Sequence, residues 1–156
     1  MIATDARAFA DCLPGGGRLM ALDLGSKTIG VAFCDAGWSF ATADKTIART
    51  KFTKEKAQLV DLIARQAIAG IVIGLPRNMD GSESPRCQSA RAFARNLADL
   101  GLPILLWDER WSTQAVERSM VASDVSRGKR AARIDSAAAA YILQGAIDAL
   151  VALPDA

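Results

Sequence analysis

The chain has 156 residues, 51% hydrophobic and 23% charged, a balance that fits one globular domain with a full core. A net charge of +2 is too small to mark a nucleic-acid partner by itself, so any basic footprint has to be local. The chain contains no histidine, which removes serine–histidine hydrolysis, cysteine–histidine chemistry and most zinc sites.

Residues 1–17 show no convincing periodicity before Pro14-Gly15-Gly16-Gly17 and read as a flexible leader with one helical turn. A single domain over residues 18–152 follows. Leu19 to Leu24 is an apolar run too short for a helix, punctuated by Gly25 and Ser26, and reads as a strand carrying one acid, Asp23. Ile29 to Cys34 is a second strand, Asp35-Ala36-Gly37 a turn, and Phe40 to Thr46 a third strand closing an antiparallel meander. Thr53 fits an N-cap, and Leu59, Leu62, Ile63 and Ala67 share a helical face that ends at Gly70. Ile71-Val72-Ile73-Gly74 is a short buried strand, and Arg77 to Ser82 a polar loop. Ser84-Pro85 opens a helix that lasts to about Leu100. Ile104 to Trp107 is the last strand and ends in Asp108-Glu109. A helix over Thr113 to Met120, a basic loop and a final helix from about Ile134 to Leu150 complete the chain. The expected fold class is α/β: a five-stranded mixed sheet, three antiparallel strands then two parallel ones, flanked by helices.

Cys12, Cys34 and Cys87 are odd in number, lack metal-type spacing and follow no secretory signal, so reduced thiols in the cytoplasm are expected. No apolar run approaches the roughly 20 residues that span a membrane.

Carboxylates are left as the chemical groups. In parallel α/β architecture functional groups gather at the carboxyl ends of strands. Asp23 lies near the end of the first strand, Asp108 and Glu109 at the end of the last, and Asp135 at the start of the final helix. Like charges in one cleft repel, and divalent cations make such a cluster tolerable. Oxygen donors without histidine or thiolate select Mg2+ or Mn2+, ions that support phosphodiester hydrolysis. Each acid also fits a structural role. Asp23 fits a turn-satisfying acid and Asp135 an N-cap, and strand alternation lets only one of Asp108 and Glu109 face a given side.

Four motifs then occur in order over about Arg18 to Leu150. They are Ala21-Leu22-Asp23-Leu24-Gly25 with Ile29-Gly30-Val31-Ala32, and Gly74-Leu75-Pro76 with Asp80-Gly81-Ser82. Asp108-Glu109-Arg110-Trp111-Ser112-Thr113 follows, then Lys129 with Ile134-Asp135-Ser136-Ala137-Ala138-Ala139. On these the chain resembles the YqgF family of Holliday-junction-resolvase-like nucleases, within the ribonuclease H-like superfamily. The resemblance implies a ribonuclease H-like fold and a nuclease that processes the 5′ end of precursor 16S rRNA in the bacterial cytoplasm. It implies Asp23, Glu109 and Asp135 as catalytic, metal-binding acids, with Asp108 a further candidate ligand. Trp111 departs from the leucine more usual at that position and is a candidate stacking surface.

Arg127, Lys129, Arg130 and Arg133 form a basic run before Asp135, while Lys27 follows Asp23 and Arg77 follows Gly74; all fit phosphate contacts. Alone, the run equally fits a solvated loop. Arg86, Arg91 and Arg95 read as the solvated side of their helix. The expected partners are RNA, as precursor 16S rRNA or a ribosome precursor, and structured DNA, with no membrane and a monomer or weak homodimer. Two rival readings use the same residues. One is a non-catalytic ribosome-assembly or nucleic-acid-binding factor. The other is an actin-like ATP-binding module, which needs two domains where 156 residues supply one.

Overall fold

The structure, a computed structural model, describes residues 1–78, 80–108 and 127–154, and of residues 127–135 the backbone alone. The strands are β1 (Ile2–Ala3), β2 (Arg18–Leu24), β3 (Thr28–Cys34), β4 (Ala41–Ala48), β5 (Ile68–Leu75) and β6 (Ile104–Asp108). The helices are α1 (Ala6–Asp11), α2 (Phe52–Gln66), α3 (Pro85–Leu97, followed by a 3-10 turn to Leu100) and α4 (Arg127–Val151). One sheet holds all six strands in the order β1-β6-β5-β2-β3-β4. β2, β3 and β4 form the expected antiparallel meander, while β5 runs parallel to β2, and β6 parallel to β5. The sheet therefore has six strands and not five. The added one is β1, whose Ile2 and Ala3 lie parallel to Ile104 and Leu105.

The alternation of side chains along the strands divides the interior into two layers. Leu22, Val31, Ile73 and Leu106 face one side, with Leu59 and Leu62 of α2 and Phe93 and Leu97 of α3. Ala21, Ala32, Val72 and Leu105 face the other, beneath Ala139, Ile142, Leu143, Ala146 and Ile147 of α4. The small residues on this second face let the long helix α4 lie close to the sheet.

The first 17 residues do not hang loose. Asp5 caps α1 by accepting the Ala8 N–H at 2.8 Å, Phe9 is fully buried in the α4 layer, and Arg7 reaches the Pro154 carbonyl at 2.6 Å. A two-residue strand and a six-residue helix carry too short a pattern for periodicity to register.

Three further boundaries differ from expectation. α2 is preceded by Lys51, not Thr53, as its cap, and it ends at Gln66 because Ala67 adopts the left-handed conformation (φ 51°) that usually selects glycine. Gly70 consequently lies inside β5, where Leu13 and Phe9 press against it. α4 begins at Arg127, seven residues before Ile134, so the basic run expected as a loop forms the first two turns of the helix. Asp135 is thus an interior helical position and no N-cap. The expected helix over Thr113–Met120 lies outside the described residues, as do Trp111, Ser112 and Thr113.

Candidate functional site

Asp23 is the sixth residue of β2, only 8% exposed, and pairs across the antiparallel ladder with Gly30. On the other side, the register that sets Leu22 against Ile73 brings Gly74 beside it. Its carboxylate therefore stands between two positions that carry no side chain, at the carboxyl edge of the sheet. Alternation assigns Asp23 to the face of Ala21, the face covered by α4. Trp107 occupies the same face: it pairs with Gly74, and its indole packs on Gly145 of α4, where an added Cβ would stand 3.3 Å from Nε1. A buried carboxylate of this kind has lost water and needs hydrogen bonds or a cation in exchange.

Asp108 pairs in register with Leu75 and follows Trp107, so alternation turns it to the opposite face, that of Leu106 and the α2–α3 layer. Asp23 and Asp108 are therefore on different sides of the sheet. Glu109, the next residue along, lies outside the described residues. Position 135 belongs to the backbone of α4, the helix that covers the face of Asp23, and precedes buried Ala139 by one turn. Positions 127, 129, 130 and 133 belong to the same helix, upstream. The structure thus brings Asp23 and the end of β6 to one edge and lays α4, from Ala138 onward, over the face of Asp23. Among the described residues there is no cluster of three or more metal-ligating side chains.

Lys27 is exposed in the β2–β3 turn. That turn is held by Gly25 N–H to Thr28 O at 2.9 Å, and by Arg49, whose backbone N–H donates to Lys27 O at 2.9 Å and whose Nη1 donates to Gly25 O at 2.9 Å. Arg49 is in turn oriented by Glu55, nearly buried at 2% exposure, which accepts from Arg49 Nε and from Thr50 N–H, each at 2.9 Å. Arg77 stands just past the end of β5. Among the described residues its Nε is buried with no hydrogen-bond partner, an uncommon state for a charged donor. The following loop is closed by Asn78 and Ser82, and Glu83 takes a forked pair of bonds from Arg91 at 2.8 and 2.7 Å. The Arg91 guanidinium holds the Glu83 carboxyl below its usual range.

Two arginines at this edge escaped sequence reasoning. Arg86, expected on the solvated side of α3, donates from Nη2 to the carbonyl of Leu24, the residue after Asp23, at 3.1 Å. Arg49 carries no motif at all. The available signal for Arg86 was its place in the first turn of a helix opened by Ser84-Pro85, which points at the sheet's carboxyl edge.

The chain is 70% identical over 150 residues to the "Putative pre-16S rRNA nuclease" of Sphingopyxis alaskensis, covering 96% of this chain and 99% of that protein. A protein of the same name from Novosphingobium aromaticivorans is 66% identical over 150 residues, covering 96% and 97%. Among solved structures, Thermus thermophilus RuvC in complex with a Holliday junction superposes with a TM-score of 0.53 at 10% identity, covering 86% of this chain and 96% of that one. The yeast mitochondrial Holliday junction resolvase gives 0.51 at 16% identity, covering 94% and 84%. These two likenesses bear out the resolvase-type α/β fold. A family model described as RuvX, Holliday junction resolvase, matches residues 17–149, and the chain belongs to that family.

Proposed function

We propose that the protein is a divalent-metal-dependent nuclease that hydrolyses phosphodiester bonds in precursor 16S rRNA, on the 5′ side of the mature sequence, in the cytoplasm. The observation that carries this reading is the placement of Asp23: a buried acid at the carboxyl edge of the sheet, between two glycines, on the face covered by the helix that carries Asp135. Its oxygen donors and side-chain-free flanks fit a hard cation, and no histidine competes for a softer one.

Asp23, Glu109 and Asp135 are the proposed ligands, and Asp108, on the opposite face, is not. A bound Mg2+ or Mn2+ would supply charge neutralisation and a water nucleophile at neutral pH. The chain's own cations do the rest. Arg77, whose buried Nε has no partner among the described residues, and Lys27 in the β2–β3 turn meet substrate phosphates at the rim. Arg127, Lys129, Arg130 and Arg133, on the opening turns of α4, add four positive charges along one helix end. The names of the relatives support RNA as substrate. The family's description supports a second reading, cleavage of branched DNA.

The test is incubation of the protein with RNA carrying the precursor 5′ end, and with a four-way DNA junction, in Mg2+, in Mn2+ and in chelator. RNA cleavage that needs metal is expected. Asp23→Asn should lower it by more than about 100-fold, because loss of mere partners of metal ligands already costs about 10–100-fold. Binding of RNA without cleavage under every metal condition would leave a non-catalytic factor. Cleavage of the junction alone would move the substrate to DNA.

A further inference from the structure

A second feature of the same edge lies on the other side of the sheet from Asp23. Leu24, Gly25, Ser26, Arg49, Arg86 and Ser89 line an open cleft of about 190 Å³. Two arginines line it, and the guanidinium of each is oriented by a backbone carbonyl of the strand end: Arg86 by Leu24 O at 3.1 Å, Arg49 by Gly25 O at 2.9 Å. The two serines add hydroxyl groups. The charge of Arg49 is matched by Glu55 at 2.9 Å. Arg86 is exposed, and among the described residues it has no ion-pair partner.

An arginine anchored through one nitrogen to a carbonyl keeps its charge and presents the rest of its planar fork in a fixed direction, a geometry that suits the two oxygens of a phosphate. The first turn of α3, a thirteen-residue helix, brings the positive end of its dipole to the same place. Two arginines and two serines among its six lining residues give the cleft the donors an anion needs. It begins one residue after Asp23, so a phosphate held here sits next to the proposed scissile position along the chain path of β2.

We propose that this cleft is a backbone-phosphate subsite, with Arg86 as its principal contact, that grips the nucleic-acid strand as it leaves the cleavage site across the sheet edge. The inference rests on the nuclease reading, and it extends that reading to a second point of contact, opposite the basic turns of α4. The strand would then be held on both faces of the sheet, with Asp23 between. Contact to phosphate is indifferent to base sequence, so the subsite positions the strand and does not select it.

Binding without cleavage tests it. Fluorescent single-stranded RNA and a labelled four-way DNA junction are titrated in chelator, at several salt concentrations, with the parent protein, Arg86→Gln and Arg86→Lys. Loss of one phosphate contact should weaken the affinity of Arg86→Gln by about 5-fold and reduce the slope of log K against log salt by about one. Arg86→Lys should keep the slope, and both variants should melt with the parent. Unchanged affinity and slope in Arg86→Gln, beside a parent that binds, would overturn the subsite and leave the nuclease reading standing. Failure of the parent to bind either probe would remove both.

Discussion

Asp23 and Asp108 are both acids at strand ends, yet side-chain alternation sends them to opposite faces of the sheet. Asp23 shares a face with Ala21 and the covering helix α4, whereas Asp108 shares one with Leu106 and the α2–α3 layer. Another carboxylate shows how far backbone groups alone control charge. Asp35 accepts the N–H groups of Phe40 at 3.0 Å, Ser39 at 2.9 Å and Gly37 at 3.1 Å, organising the β3–β4 connection. These bonds, led by that from Phe40, hold its carboxyl below the ordinary value of 3.8. Since the folded value is the lower one, the stabilisation is fully present above 3.8 and is lost as the pH falls through the folded value. Asp35→Ala should therefore melt below the parent at neutral pH, and the gap should close in acid. Thermal unfolding of the two proteins across pH checks this, and a gap independent of pH would contradict it.

At the scale of elements, the sequence was readable where a pattern repeats and opaque where one residue breaks a rule. β2, β3, β5, β6 and α3 lie close to where apolar runs and Ser84-Pro85 put them, because each buries several side chains in register. The end of α2 departs from the helical pattern because Ala67, not a glycine, takes the left-handed cap. The start of α4 is hidden in the sequence because Gly128, within its first turn, is a loop-type residue, while the burial that anchors the helix begins only at Ala138. Of the candidate site, the positions of Asp23 and Asp108 were legible from strand ends. The role of Arg86 was not, since a tertiary contact to Leu24 O leaves no trace in helical spacing. The N-terminal segment is the clearest case of tertiary packing without a local pattern. Phe9→Ala should destabilise the protein by about 3–5 kcal/mol, as for other buried aromatics, in urea or thermal unfolding. A loss under about 1 kcal/mol would restore the picture of a loose leader.

Over the whole molecule, a net charge of +2 conceals an uneven distribution. Lys27, Arg49, Arg77 and Arg86 all belong to the carboxyl edge of the sheet, the edge that carries Asp23, and four more basic residues fall in sequence within the first two turns of α4. Local concentration of charge, not its total, is what a polyanion meets. We propose this edge as a metal-dependent nuclease site built on Asp23. The most direct measurement is anomalous diffraction from a crystal soaked in Mn2+. A manganese peak bonded to the Asp23 carboxylate is expected, with Glu109 and Asp135 as its other protein ligands and Asp108 uninvolved. A peak coordinated by Asp108 and not Asp23, or no peak at this edge in a fully soaked crystal, would contradict it.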